Sequence, residues 1–274
     1  MQREQWQKHR AAFLVYLLLR AIVIVSLMLA IFQHSWESAF ICVLTLILFM
    51  LPAVVEKNFR VDLPDTLEIV ILFFIFSTQI LGEFHAWYVR IPGWDTLMHT
   101  VNGFLCAAIG FSLVDLLNRE ERIGLNLSPL FLSIVAFCFS MTVGVLWEFV
   151  EFAADRFLLM DMQKDTVIHT ISTVALDTTA SNRRVILSGI TDVAVNGESL
   201  GLGGYLDIGL IDTMKDLFVN FIGAVVFSVI GYFHVRGRGK SKFAGRFIPV
   251  VLDDIPDGAD MEALPTSETT QEVP

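Results

Sequence analysis

The sequence predicts an all-α fold: a polytopic membrane helix bundle with about six transmembrane helices and a long outer loop with room for a short β-hairpin. Three observations predict it. Hydrophobic residues make up 54% of the 274, charged residues only 18%, and the mean hydropathy is +0.63, more apolar than a soluble domain of this length requires. The apolar residues gather into six runs near the roughly 20 residues that cross about 30 Å of hydrocarbon. Finally, most polar residues that intrude on these runs sit at their ends and recur at helical spacing.

The net charge of −10 is uneven. From Phe247 onward there are seven acids and no base, which leaves 22 acids against 19 bases in the rest. No basic face suits nucleic acid, so the expected partner is the lipid bilayer.

Residues 1–10 are polar, with Arg3, Lys8 and Arg10, and read as a cytoplasmic N-terminus. Ala11–Phe32 is the first span. It is longer than a signal-peptide core and is followed by no small-residue cleavage site, so it reads as a retained anchor. Arg20 lies in its middle and must either snorkel along its own stem or pair with a carboxylate on another helix. The second span is Ala39–Val55, with Pro52 near its end, followed by the charged connector Glu56–Pro64. The third runs from Asp65 to Gly82 and is capped by Glu83, which shares a helical face with Gln79.

The loop His85–Gly93 carries Trp87 and Tyr88 and leads to Trp94, an aromatic cluster of the membrane-interface type. The fourth span, Trp94–Leu117, contains Gly103, Ala107, Ala108 and Gly110, small residues that let helices approach closely. After the polar loop Asn118–Ser128 comes the fifth span, Pro129–Phe152, where Gly144 precedes Glu148 by one turn. Residues 156–211 form a long extracytoplasmic loop. Within it Thr166–Leu176 and Arg184–Val195 are rich in β-branched residues, and Asn196-Gly197 is a turn signal, consistent with a small strand pair. The sixth span is Asp212–Val235. The membrane domain is therefore 11–235, and 236–274 is a cytoplasmic tail, first basic and then acidic, expected to be disordered. Cys42, Cys106 and Cys138 lie in apolar runs without CxxC spacing, so they read as small buried apolar residues rather than a disulfide or zinc set.

Six spans put both termini on one side. Segments on that side hold 12 bases, those on the other side hold 5, and Arg20 and Lys215 fall within spans. The positive-inside rule places both termini in the cytoplasm. The polar stripes then coincide in depth. Glu83 closes the third span, while Asp95, His99 and Asn102 open the fourth. Glu148, Glu151 and Asp155 end the fifth, and Asp212, Asp216 and Asn220 open the sixth. All fall at the external leaflet.

Ionisable groups beside hydrocarbon are expensive and usually face a bundle interior or a watery cavity. One imidazole with several carboxylates suits a divalent metal ion: oxygen ligands favour Mg or Mn, and the imidazole admits Zn or Fe. The candidate metal ligands are His99, Glu148, Glu151 and Asp216. Glu148, Glu151, Asp95 and Asp212 are the candidate catalytic groups, with Glu83, Asn102 and Asn220 in support. Such a site fits a metal-dependent hydrolase or transferase acting on a lipid-linked or extracytoplasmic substrate. Two alternatives stand beside it. A proton- or cation-coupled transporter would also gather intramembrane carboxylates. A non-catalytic membrane protein would use Asp95 and Asp212 as helix N-caps or first-turn acids. His34, His85 and His169 have no matching partner spacing and read as surface histidines. The basic run from Arg236 to Arg246 follows the positive-inside rule, and it suits anionic lipid headgroups as well.

At these residues the chain resembles the YjdF-like family of uncharacterised bacterial inner-membrane proteins. The matching stretches are Leu81-Gly-Glu83, Tyr88 through Trp94-Asp-x-x-x-His99-x-x-x-Gly103, Gly144–Glu151, and Asp207 through Asp212-x-x-x-Asp216-x-x-x-Asn220-x-x-Gly223. They cover most of residues 60–235. The resemblance implies a multi-pass protein of the bacterial cytoplasmic (inner) membrane whose activity is not established. More loosely, the order Asp-x-x-x-His, Glu, Asp-x-x-x-Asn-x-x-Gly is similar to the VanZ-like membrane proteins, with Thr96 standing where a lysine is common and Glu151 where a glutamine is.

Overall fold

Apolar content and run length do produce helices. The structure, a computed structural model, describes residues 10–59, 61–119, 127–237 and 241–251. Arg3, Lys8, Arg60, Arg122, Arg238, Lys240 and the acidic residues from Asp253 onward lie outside that set. Among the described residues six helices are long and apolar enough to cross a membrane, covering Arg10–Phe32, Trp36–Asn58, Asp65–Phe84, Trp94–Asp115, Pro129–Leu158 and Leu210–Arg236.

The chain divides into two compact units. In the first, α1 (Arg10–Phe32) packs on α2 (Trp36–Leu48). Their outward sides carry Leu14, Leu18, Val25, Phe32 and Phe40, an apolar surface of the kind a bilayer covers. A turn at Phe49 and Met50 separates α2 from α3 (Leu51–Phe59). Pro52 therefore sits in the first turn of a new helix, where its missing N–H costs nothing. Strand β1 (Val61–Asp62) pairs with β8 (Val250–Val251), and α4 (Asp65–Phe76) follows. Arg20 folds back along its own helix toward the N-terminus: its Nη1 donates to the hydroxyl of Tyr16 one turn earlier, and its guanidinium lies 5.6 Å from the centre of that ring, a cation–π contact.

The second unit begins where α4 continues into a π-helix, Ser77–Phe84. The wider backbone spacing breaks the simple four-residue relation between Gln79 and Glu83, and π segments of this kind are frequent at functional sites. A single helical turn, α5 (Trp87–Arg90), occupies the expected loop. Then come α6 (Trp94–Arg119), α7 (Pro129–Leu158) and α8 (Leu210–Arg236), which pack pairwise against one another. Ser128 caps α7 by accepting from Phe131 N–H, with Pro129 in the first turn. The helix runs on to Leu158, six residues past the expected end. The excursion between α7 and α8 is therefore 159–209.

That excursion holds three strand pairs rather than one. Strand β2 (Thr166–Ile168) pairs with β7 (Tyr205–Asp207), β3 (Thr170–Thr173) with β4 (Val185–Ser188), and β5 (Ala194–Val195) with β6 (Glu198–Ser199) across Asn196-Gly197. His169 Nδ1 lies 3.0 Å from the carbonyl of Ile190, next to β3. Asp177 accepts from the Thr179 hydroxyl and from the N–H groups of Thr179, Ser181 and Arg183. These donors hold its carboxyl at about 2, below the ordinary value. Cys42 and Cys106 are buried as expected, but Cys138 is exposed on α7, which a weakly polar thiol tolerates without a polar partner.

The core of this unit depends on close helix approach. A Cβ added at Gly103 would run into the carbonyl of Asn220, and one at Gly223 into that of Thr100. Here α6 and α8 meet backbone to backbone. Gly103→Ala and Gly223→Ala are each expected to destabilise the protein by about 1–3 kcal/mol through overpacking. Gly245→Ala, where a Cβ meets nothing within 4 Å, serves as the unaffected control. Thermal unfolding in detergent checks this.

Candidate functional site

The site forms where one end of each of α6, α7 and α8 converges beside the 159–209 excursion. Helices α6 and α8 run parallel and both begin there, while α7 ends there. Below the ionisable groups, a layer of small polar contacts sets the register. Asn102 Nδ2 donates to Asn220 Oδ1 at 3.3 Å, Ser140 Oγ donates to the Gly103 carbonyl at 2.7 Å, and Asn220 Nδ2 reaches the Ser140 carbonyl at 3.5 Å. Gly144 leaves room for the Asn220 amide, since a Cβ there would come within 2.7 Å of Nδ2. One turn above Asn220 is Asp216, and one turn above Asn102 is His99.

His99 is the hub. Its Nε2 lies 3.5 Å from Asp95 Oδ1 and 4.0 Å from Asp216 Oδ2, and its Nδ1 lies 4.0 Å from Glu148 Oε1. Two triads, Asp95–His99–Asp216 and His99–Glu148–Glu151, each place their ligand atoms within 4.8 Å of one another and could hold a metal ion. Glu148, Glu151, Asp212, Asp216 and Asn220 are all buried. Asp216 is only 2% exposed, yet its Oδ1 has no hydrogen-bond partner. Such a group bears a desolvation cost of roughly 1–3 kcal/mol, and more when charged.

The other carboxylates are held by donors. Trp147 Nε1 donates to Glu151 Oε1 at 2.9 Å. Gln163 Nε2 lies 2.7 Å from Thr213 Oγ1 and 3.4 Å from Glu148 Oε2. Asp212, in the first turn of α8, accepts from Lys164 N–H at 2.7 Å and lies 3.9 Å from Lys215 Nζ. Asp155 stands apart from the cluster in role: its two oxygens accept from Met162 N–H (2.6 Å) and Gln163 N–H (2.8 Å). It thereby folds residues 162–164 back over the site.

A cavity of about 190 Å³ opens beside His99, lined among others by Glu83, Tyr88, Asp95, Glu151 and Lys164. Burial, reinforced by the surrounding carboxylates, pushes the Tyr88 phenol above its ordinary value. It therefore stays protonated and able to donate. Asp212 and Asp216 do not line this cavity. The structure thus brings Asp95, His99, Glu148, Glu151 and Asp216 together, with Glu83 at the cavity wall and Asn102 and Asn220 beneath. Gln163 and Lys164 carry no spacing signal that reading along the chain could find, since both reach the site through the Asp155 turn. Trp147 was legible only as a neighbour of Glu148.

A family model described as predicted membrane protein (DUF2238) matches residues 14–237. An uncharacterized protein of Thermotoga maritima is 27% identical over 107 residues, which is 39% of this chain and 53% of that protein. The chain spans about half the length of this curated relative. No solved structure matches the chain. The family description is consistent with the YjdF-like resemblance and names no activity, and neither match points to the VanZ-like proteins.

If Asp155 folds the excursion over the site, Asp155→Ala removes the charged acceptor of two backbone donors. The expected loss is about 1.5–3 kcal/mol per charged hydrogen bond at most. Limited proteolysis should then cut near Met162 well before the wild type is cut there.

Proposed function

The chain belongs to the DUF2238 family of predicted membrane proteins, and we propose that it is a metal-dependent hydrolase or transferase acting on a lipid-linked or extracytoplasmic substrate. One observation carries the reading: carboxylates from three spans surround a single imidazole while the buried Asp216 keeps an oxygen unpartnered. Crowded carboxylates must bind protons or cations, and a divalent cation suits this donor set.

Of the expected ligands His99, Glu148, Glu151 and Asp216, the first three form one set that would hold the ion, while Asp216 belongs with His99 and Asp95 in the other. When bound, the ion supplies Lewis-acid polarisation of a phosphoryl or carbonyl oxygen and activation of water. The protein's own residues do the rest. Asp95, 22% exposed at the cavity, is placed to accept a proton from an attacking nucleophile. Asp212, occupied by Lys164 N–H and Lys215, positions rather than reacts. It holds the Lys164 backbone at the cavity, where the Lys164 ammonium pairs with Asp161. Tyr88 offers a hydroxyl donor, and Glu83 completes the wall. Trp147, Gln163 and the Asn102–Asn220 pair orient the ligands.

Metal content of the purified protein tests the reading. Wild type should carry a divalent metal, with His99→Ala and Glu148→Ala at background, and metal equally negligible in all three would remove it. With metal loaded, a prenyl diphosphate or a p-nitrophenyl ester should be hydrolysed in an EDTA-sensitive reaction. Asp95→Asn should slow that reaction about 10²-fold or more, the usual size of a general-base effect. Turnover of neither probe by metal-loaded protein would favour a structural or transport role.

The same reading places the site on the outer face of a bacterial cytoplasmic membrane, because the short connecting segments on the opposite side are richer in bases. A membrane-impermeant maleimide should label Ser188→Cys in intact cells and Gly245→Cys only after lysis. The reverse pattern would put the site in the cytoplasm.

A further inference from the structure

We propose that His99 serves two cation positions, one on each edge of its ring, so that the full site binds two divalent ions of the zinc type. The inference rests on the metal reading above and extends it. Its basis is the way the two triads divide. Asp95 and Asp216 face Nε2, whereas Glu148 faces Nδ1 and is joined by Glu151; in a two-ion site Asp95 would give one oxygen to the ion and keep the other for the proton. No carboxylate belongs to both triads; the imidazole alone is shared. A single ion on either edge would leave the other triad's acids facing each other across a bare ring nitrogen.

The distances suit this. Zinc–ligand bonds of about 2.0–2.1 Å in tetrahedral geometry put neighbouring ligand atoms roughly 3.3–3.5 Å apart. The nitrogen-to-oxygen separations of 3.5 and 4.0 Å need only a small closure to reach that. Asp216 supplies an independent sign. It is 2% exposed, one oxygen turns toward Nε2, and the other accepts from nothing.

Charge points the same way. Acids outnumber ammonium groups here: Glu83, Asp95, Glu148, Glu151, Asp161, Asp212 and Asp216 gather with only Lys164, which pairs with Asp161, and Lys215, an excess that favours bound cations. To serve both positions the ring would give up its remaining N–H proton to solvent, which adds one negative charge to the site.

The test uses the full-length protein in detergent, stripped with EDTA, reloaded with Zn²⁺, and analysed for zinc per chain after gel filtration. Wild type should retain two. Asp216→Asn should retain one, as should Glu148→Gln combined with Glu151→Gln, and His99→Ala should retain none. Should Asp216→Asn fail to elute as a monodisperse helical protein, Asp95→Asn tests the same edge. One zinc in wild type overturns the second position and leaves the metal reading standing. No zinc overturns both. Two zinc ions in wild type that neither edge variant reduces to one would place the second ion elsewhere and overturn the inference.

Discussion

Concentrating negative charge beside hydrocarbon is the constraint to which the rest of this molecule answers. Four buried acids and a largely buried histidine come from α6, α7 and α8, where water is scarce and a bare carboxylate is costly. The chain meets that cost with donors drawn from outside the spans as well as within them. Gln163 and the Lys164 amide come from the excursion, and Trp147 comes from the outward side of α7. The first turn of the excursion is therefore part of the site's electrostatics, and Asp155 is the hinge pin that brings it back.

Depth is controlled separately, by backbone contact. Gly103 and Gly223 let α6 and α8 touch main chain to main chain, and the Asn102–Asn220 and Ser140–Gly103 bonds lock one helix against the next. Because α6 and α8 run parallel, the turn above that layer places His99 opposite Asp216 without further adjustment. A slip of one residue along either helix would turn that helix's own side chains by about 100° and separate the imidazole from the acid. The small-residue layer thus has a chemical consequence: it decides which ionisable groups can meet.

The cavity joins these two features at one end of the three helices. Its wall mixes the acids of the site with Tyr88, kept protonated by burial, and Lys164, the one basic side chain among its described lining residues. The π-helical finish of the third span brings Glu83 and Gly82 to the same wall, and a regular α-helix would present those two residues differently.

The spans and the polar stripes could be read from residue order alone, because both depend on local periodicity. Twenty or so apolar residues must form a helix in lipid, and residues three or four apart on it must share a face. Asp95 with His99, Glu148 with Glu151, and Asp212 with Asp216 and Asn220 were visible for that reason. What the tertiary structure decided depends on contacts between residues remote in the chain. Gln163 reaches Glu148 across 15 positions, and the Lys164 amide reaches Asp212 across 48. Arg20 turned to Tyr16 instead of a carboxylate, Cys138 turned outward, and the excursion formed three strand pairs. Hydropathy records how much of a segment is apolar but not which neighbour its polar atoms will find. Only the packed helices settle that.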